Sequence, residues 1–224
     1  MTGLAVFDFD GTLVDSQHAI QACMEAAFAA EGLTPPTLRQ THRIIGLPLD
    51  VCLARLAPDS DAATQARLVE GYKTAFHGLR RQEGWVEPLF DGALAALAAL
   101  EAAGWTLGIT TGKNRRGLDA VLEAHGLHPR FATLQTSDRA PGKPDPTMLR
   151  WAMEETGFGP DNTVMIGDTI FDMAMARNAK VRGLGVAWGY HGVAELIEHG
   201  AERVLASFAE LAPALAKTTG ETRR

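Results

Sequence analysis

The run Leu4-Ala-Val-Phe-Asp8-Phe-Asp10-Gly11-Thr12 decides how this chain is read. Its apolar half is short and lacks helical spacing, and Asp10-Gly11 follows at once, so it reads as a buried strand that delivers carboxylates into a turn. Strand residues two apart point to the same side, so Asp8 and Asp10 approach a common site if the strand ends there. Two carboxylates that close repel each other, and burial makes the repulsion worse. The pair stays charged only with a cation beside it; otherwise one member takes up a proton. One outcome is a metal site, the other a nucleophile beside a general acid. Gly11 permits the tight turn, and Thr12 offers a hydroxyl to a carboxylate or a bound oxyanion. The plainer alternative is an Asx-type turn that caps the following helix.

Working outward, strand-like runs recur at 105–110, 131–134, 163–166 and 183–187. Helical spacing lies between them at 91–103, 114–125, 147–156, 171–179 and 193–199. In the first of these helices Leu94, Leu97 and Leu100 form the apolar stripe, Asp91 is the expected N-cap and Gly104 the stop. Alternating strands and helices imply an α/β fold, a doubly wound parallel sheet covered on both faces. The interval 16–87 breaks the alternation. It places Ile20, Met24 and Phe28 on one helical face, continues through helical stretches at 37–44 and 49–56, and ends with Leu68, Tyr72, Phe76 and Leu79. About 70 residues without a strand exceed any ordinary crossover, so the expectation is an inserted all-helical cap over 16–87. The α/β core then comprises 1–15 and 88–216, and 217–224 is expected to be a frayed tail.

Composition bounds the function. The 224 residues suit roughly one and a half domains at about 150 residues each. With 46% hydrophobic and 21% charged residues the chain can bury a sizeable core. A formal charge of −6 gives no general attraction to nucleic acid or an anionic membrane. Cys23 and Cys52 are too few for a disulfide framework and lack metal-ligand spacing, so they read as free thiols. No apolar run approaches the ~20 residues of a membrane span, and no signal peptide precedes Asp8, so the cytoplasm is the expected location.

Three further stretches carry chemistry. Gly167-Asp168-Thr-Ile-Phe-Asp172 follows a strand, so Asp168 falls at the carboxyl edge where open α/β sheets bind ligands. Asp172 lies in the first helical turn, where complementing the helix dipole is an equal explanation. Thr110-Thr111-Gly112-Lys113-Asn114 sets hydroxyls and backbone N–H groups at a helix start, an anion-binding arrangement, with Asn114 as a possible simple N-cap. Gly142-Lys143-Pro144-Asp145-Pro146 holds Lys143 in a stiff loop suited to a phosphoryl oxygen. If Asp8, Asp10, Asp168 and Asp172 converge, Lys143 alone leaves about three negative charges unbalanced, and hard oxygen ligands in this number call for Mg²⁺.

These residues resemble the haloacid dehalogenase-like superfamily of phosphohydrolases over nearly the whole chain. Asp8 to Ser16 is similar to the first motif, Thr111 to the second, Lys143 to the third, and Gly167-Asp168 with Asp172 to the fourth. The insertion is similar to the helical cap of the subgroup containing phosphoglycolate phosphatases and β-phosphoglucomutase, and Gly185-Val-Ala-Trp-Gly-Tyr190 resembles the phosphatase side. The resemblance implies that Asp8 attacks phosphorus to form an aspartyl-phosphate while Asp10 acts as acid, then base. It also implies that Asp8, the Asp10 carbonyl and Asp168 hold Mg²⁺, that Thr111, Gly112 and Lys143 bind the phosphoryl oxygens, and that Thr12 and Asp172 support them. Gly112 departs from the pattern, standing where many relatives have Asn.

The expected substrate is a small anionic phosphorylated metabolite. Arg43 is the best candidate for its distal charge, with an exposed helix-end arginine as an equal reading; His18 reads first as a hinge-region surface histidine, with a cleft-facing residue as the alternative. Asp10 argues against a dehalogenase, and Lys73, the insertion's one lysine, lies on a solvated face and argues against a phosphonatase. A sugar phosphomutase shares every core residue and stays as the alternative. A non-enzymatic binding protein is disfavoured because both Asp8 and Asp10 are present.

Overall fold

The computed structural model describes residues 2–216. Six parallel strands form one sheet: β1 (Gly3–Phe7), β2 (Trp105–Thr111), β3 (Phe131–Thr136), β4 (Thr163–Gly167), β5 (Arg182–Val186) and β6 (Arg203–Leu205). Their spatial order is β3-β2-β1-β4-β5-β6. The chain winds outward from β1 through β2 to β3, returns to β4 on the other side of β1, and winds outward again. The reversal beside β1 opens a crevice at the carboxyl ends of β1, β2 and β4, the position where doubly wound sheets bind ligands.

All five residues of β1 are buried. Its period-two alternation splits them between two cores. Ala5 and Phe7 pack with Leu97, Leu100, Ile109 and Ile166 on one face, whereas Leu4 and Val6 pack with Met148, Leu149 and Met165 on the other. The first face is covered by α5 (Ala93–Ala102), α6 (Arg115–Ala124) and α10 (Leu211–Ala216), and the second by α7 (Thr147–Thr156) and α8 (Ile170–Ala179). The short α9 (Val193–Glu198) sits over β5.

The remaining helices, α1 (Gln17–Ala30), α2 (Leu38–His42), α3 (Leu49–Leu56) and α4 (Ala62–Arg80), lie between β1 and β2. They bury a cluster of their own around Met24, Leu53, Leu68 and Phe76, which Phe171 of α8 joins from the sheet side. The segments that enter and leave this helical layer run side by side: Asp15 N–H donates to Pro88 O at 2.8 Å and Phe90 N–H to Leu13 O at 3.0 Å.

Some local expectations differ from the fold. The N-cap of α5 is Gly92, at φ +89°, and not Asp91; the left-handed turn pushes the helix start one residue on. Leu94 lies off the buried stripe of α5 and is 49% exposed, while Ala93, Ala96, Leu97 and Leu100 form the stripe. Strand β6 and helix α10 have no counterpart in the sequence reading because each is only one short apolar run. The expected frayed tail, 217–224, lies outside the described residues. No helix among the described residues is long and apolar enough to cross a membrane, and both cysteines are free and buried.

Leu97 is fully enclosed, so Leu97→Ala should lower unfolding stability by about 2–5 kcal/mol, read as a lower urea midpoint at unchanged slope.

Candidate active site

Strand β1 ends at Phe7, and Asp8 follows it into the crevice with its N–H still donating to Ile166 O at 2.8 Å. The chain then turns through Gly11 at φ +90°. A Cβ on Gly11 would run into the Asp168 carboxylate and the Tyr190 ring, so conformation and space both require glycine here. The neighbouring strand β4 ends at Gly167 and presents Asp168 beside Asp8. Asp168 is oriented by two donors: the Thr12 hydroxyl reaches Oδ1 at 2.8 Å and Tyr190 N–H reaches Oδ2 at 2.9 Å. Asp172, in the first turn of α8, accepts at Oδ2 from Thr169 N–H (3.0 Å) and Thr169 Oγ1 (2.7 Å), a reciprocal capping box.

Lys143 joins these groups from the loop before α7. Its side chain is fully buried, and Nζ lies 2.6 Å from Asp8 Oδ1 and 2.7 Å from Asp172 Oδ1. Oxygens of Asp8, Asp168 and Asp172 all lie within 4.8 Å of one another. The Asp10 carboxylate stands apart from that group. It meets Lys113 Nζ at 2.7 Å, and the same ammonium lies 3.0 Å from Glu87 Oε1.

At the end of β2 the two threonines face opposite ways. Thr110 Oγ1 meets Met165 Sδ at 3.5 Å on the far side of the sheet, whereas Thr111 lines the crevice and accepts from Lys113 N–H at 3.0 Å. Asn114 caps α6 through Gly117 N–H at 2.8 Å. Gly112 has a steric reason to lack a side chain. A Cβ there would sit 2.7 Å from Leu47 O and 2.8 Å from Gly46 O, so the backbone between α2 and α3 occupies the space an asparagine would need. Together these residues enclose a cavity of about 230 Å³ with Asp8, Asp10, Thr111 and Gly112 on one wall and residues of α1, α3 and α4 on the other.

Two further candidates lie away from this cavity. Arg43 closes α2 and turns away from this cavity: its guanidinium pairs with Glu195 of α9 at 2.6 Å, 47% exposed, in a separate groove beside Tyr190. His18 is exposed on α1 and does not line the cavity. The charge count changes too, because Lys143 is not the sole cation. Lys113, Glu87 and Arg80, whose Nη2 lies 3.6 Å from Glu87 Oε2, have no charge role in the sequence expectations. The signal available was a lysine directly after the strand-end Thr-Gly and an isolated acid, Glu87, where the helical stretch ends.

With these included, Asp8, Asp10, Glu87, Asp168 and Asp172 face Lys143, Lys113 and Arg80, a surplus of two negative charges that a single divalent cation would cancel. The donor set fits such a cation: three carboxylates of hard oxygen, and Asp8 Oδ2 buried without a hydrogen-bond partner. Protons take up the surplus otherwise. Burial and then the Asp172 charge push the Asp8 carboxyl well above its ordinary value. The same two causes, in the same order, raise Asp168 to about 7. Burial disfavours the Lys143 and Lys113 ammonium groups, yet the carboxylates touching each outweigh it and hold both above their ordinary values.

The fold occurs in known proteins. The family model "Haloacid dehalogenase-like hydrolase" matches residues 5–186. The chain belongs to that family of hydrolases. Among curated relatives it is similar to "Phosphoglycolate phosphatase" of Agrobacterium fabrum, 32% identical with 96% of this chain and 93% of that protein covered. It is likewise similar to "Phosphoglycolate phosphatase" of Xylella fastidiosa, 36% identical over 83% of this chain and 80% of that one. A solved hydrolase from Pseudomonas syringae superposes with a TM-score of 0.84 at 29% identity, covering 97% of this chain and 99% of the other.

The raised Asp168 value sets a pH dependence. A carboxyl at about 7 when folded and near 3.8 when unfolded stabilises the fold fully below 3.8, and that contribution is lost as pH rises through 7. His42 and His191 are lowered by burial and act oppositely below 6.5, so the window lies above that value. In excess chelator the protein should melt at a higher temperature at about pH 6.5, where part of the contribution survives, than at about pH 8, where it is gone. Saturating Mg²⁺ should remove the difference, as followed by calorimetry.

Proposed function

We propose that this enzyme hydrolyses small anionic phosphate monoesters of the phosphoglycolate type, through an aspartyl-phosphate on Asp8 and with Mg²⁺ bound. One observation carries the reading: Asp8 Oδ2 is a buried carboxylate oxygen with no partner, on the wall of the cavity beside a buried lysine. An oxygen in that state is a nucleophile already stripped of its hydrogen bonds and held in place by the ion pair at Oδ1.

In this reading Oδ2 attacks phosphorus in line, and the bond between phosphorus and the ester oxygen breaks. Asp10, on the same cavity wall two residues on, gives that leaving oxygen its proton. Asp10 then takes a proton from water, whose oxygen attacks phosphorus, freeing inorganic phosphate and restoring Asp8. The Thr111 hydroxyl, the Gly112 N–H and the Lys143 ammonium meet the phosphoryl oxygens as charge shifts onto them. Asp8, the Asp10 carbonyl and Asp168 would hold Mg²⁺, which supplies charge neutralisation to the transferring group. Asp172 fixes Lys143, and Thr12 fixes Asp168.

Substrate class follows from the cavity and from the names of the relatives. About 230 Å³ is below the size usual for drug-sized ligands and suits an ester of a few carbons. Lys73 of α4 and Arg116 of α6 also line the cavity and favour an anionic group on the substrate. Arg43, paired with Glu195 outside, is not required for that role.

A screen of phosphorylated metabolites with Mg²⁺, following inorganic phosphate and isomerised product together, tests the assignment. Phosphate release is the expected result, and isomerisation without release would make the enzyme a phosphomutase. Asp8→Asn should reduce turnover to background while the chain still unfolds in one cooperative transition, because the amide keeps an oxygen for Lys143 but cannot attack phosphorus. Arg43→Ala should leave KM within about twofold, as expected for an exposed ion pair.

A further inference from the structure

The Asp8–Asp10 pair is divided between two lysines. Lys143 takes Asp8, and Lys113 takes Asp10 at 2.7 Å. The second lysine is as constrained as the first. Its side chain is 9% exposed, its N–H is bound to Thr111 Oγ1 at 3.0 Å, and Nζ lies 5.3 Å from the centre of the Phe76 ring on α4. Glu87 holds it from the other side at 3.0 Å with a carboxylate that is wholly buried, where the segment leaving the helical layer re-enters the sheet domain. The Glu87 backbone is fixed in turn by His125 Nε2 on its carbonyl at 2.8 Å. A buried ammonium between two carboxylates, with an aromatic face on a further side, has little freedom to move.

This arrangement has a cost that a purely structural role would not need. Glu87 and Lys113 bury two charges, and a buried ion pair stabilises a fold less than apolar packing of the same volume. What the pair does achieve is to hold the Asp10 carboxylate by Oδ1, apart from the Asp8, Asp168 and Asp172 group, in a residue that lines the cavity.

We propose that Lys113 and Glu87 are positioning residues for proton transfer: Lys113 aims Asp10 at the leaving oxygen, and Glu87 holds Lys113 in place. The inference rests on the phosphatase reading above. It requires that losing either residue impair the departure of a poor leaving group, which needs a proton, far more than that of a good one, which does not.

The test compares an alkyl ester, phosphoglycolate, with an aryl ester, p-nitrophenyl phosphate, both with Mg²⁺ and the full chain. For Lys113→Met, kcat/KM on the alkyl ester, which reports the steps up to departure of the leaving oxygen and not the water step common to both esters, should fall about 10²-fold, the lower end of what acid–base catalysis contributes, with kcat/KM on the aryl ester within about fivefold. Lys113→Arg should recover part of the alkyl-ester rate, and Glu87→Gln should show the same selectivity with a smaller loss. If Lys113→Met does not fold, as judged by thermal melting, the ester selectivity of Glu87→Gln and Lys113→Arg decides the matter. Equal losses on the two esters, or an effect confined to KM, would overturn the positioning role and leave the phosphatase reading standing. A wild-type chain that releases phosphate from neither ester would overturn both.

Discussion

An ammonium group with no access to solvent can exist in a folded protein only where carboxylates surround it, and Lys143 meets that condition between Asp8 and Asp172. The two acids belong to different strand ends, after β1 and after β4. Their meeting at one nitrogen requires those strands to be neighbours, which the sheet order provides. The turn through Gly11, the Tyr190 N–H on Asp168 and the capping box of α8 each bring a carboxylate to the same point. The topology of the sheet and the electrostatics of the crevice are therefore one problem: moving β4 from beside β1 would leave a buried lysine short of one of its acids.

The second constraint is the unequal treatment of two carboxylates only two residues apart. Asp8 sits among three other charges in a space that disfavours its own ionisation, and Asp10 sits against a single ammonium at the edge of the cavity. Different surroundings for two like groups would let one serve as nucleophile and the other handle protons in the proposed reaction. The division is made partly by the inserted helices, because α4 contributes Phe76 and Arg80 to the far side of Lys113 and Glu87.

Much of this is legible in the chain itself. Strand β1 announces itself by four apolar residues and an abrupt acidic turn, and Asp168 by the same grammar at β4. The absence of strand-like runs over 16–87 marks the helical insertion, because helical spacing at Ile20, Met24 and Phe28 has no period-two competitor. What is not legible depends on contacts between distant segments. Lys113 and Glu87 are 26 positions apart and look like ordinary surface charges until the fold buries them against each other. Arg43 looks suited to a substrate anion because its partner, Glu195, lies 152 positions away on α9. The choice between Thr110 and Thr111 depends on which side of β2 faces the crevice, and only the sheet's neighbours decide that. β6 is too short for its three residues to stand out as a strand.

The contact at Gly112 has a consequence for how such an enzyme can diversify. The atoms pressing on it are the carbonyl oxygens of Gly46 and Leu47, main-chain atoms that every residue type possesses. Replacing the side chain of residue 47 leaves that part of the wall in place, while any side chain gained at residue 112 must displace it. The boundary of the cavity at this point is written in the path of the backbone, so it changes by insertion, deletion or a shift of the α2–α3 connection more readily than by point substitution within it.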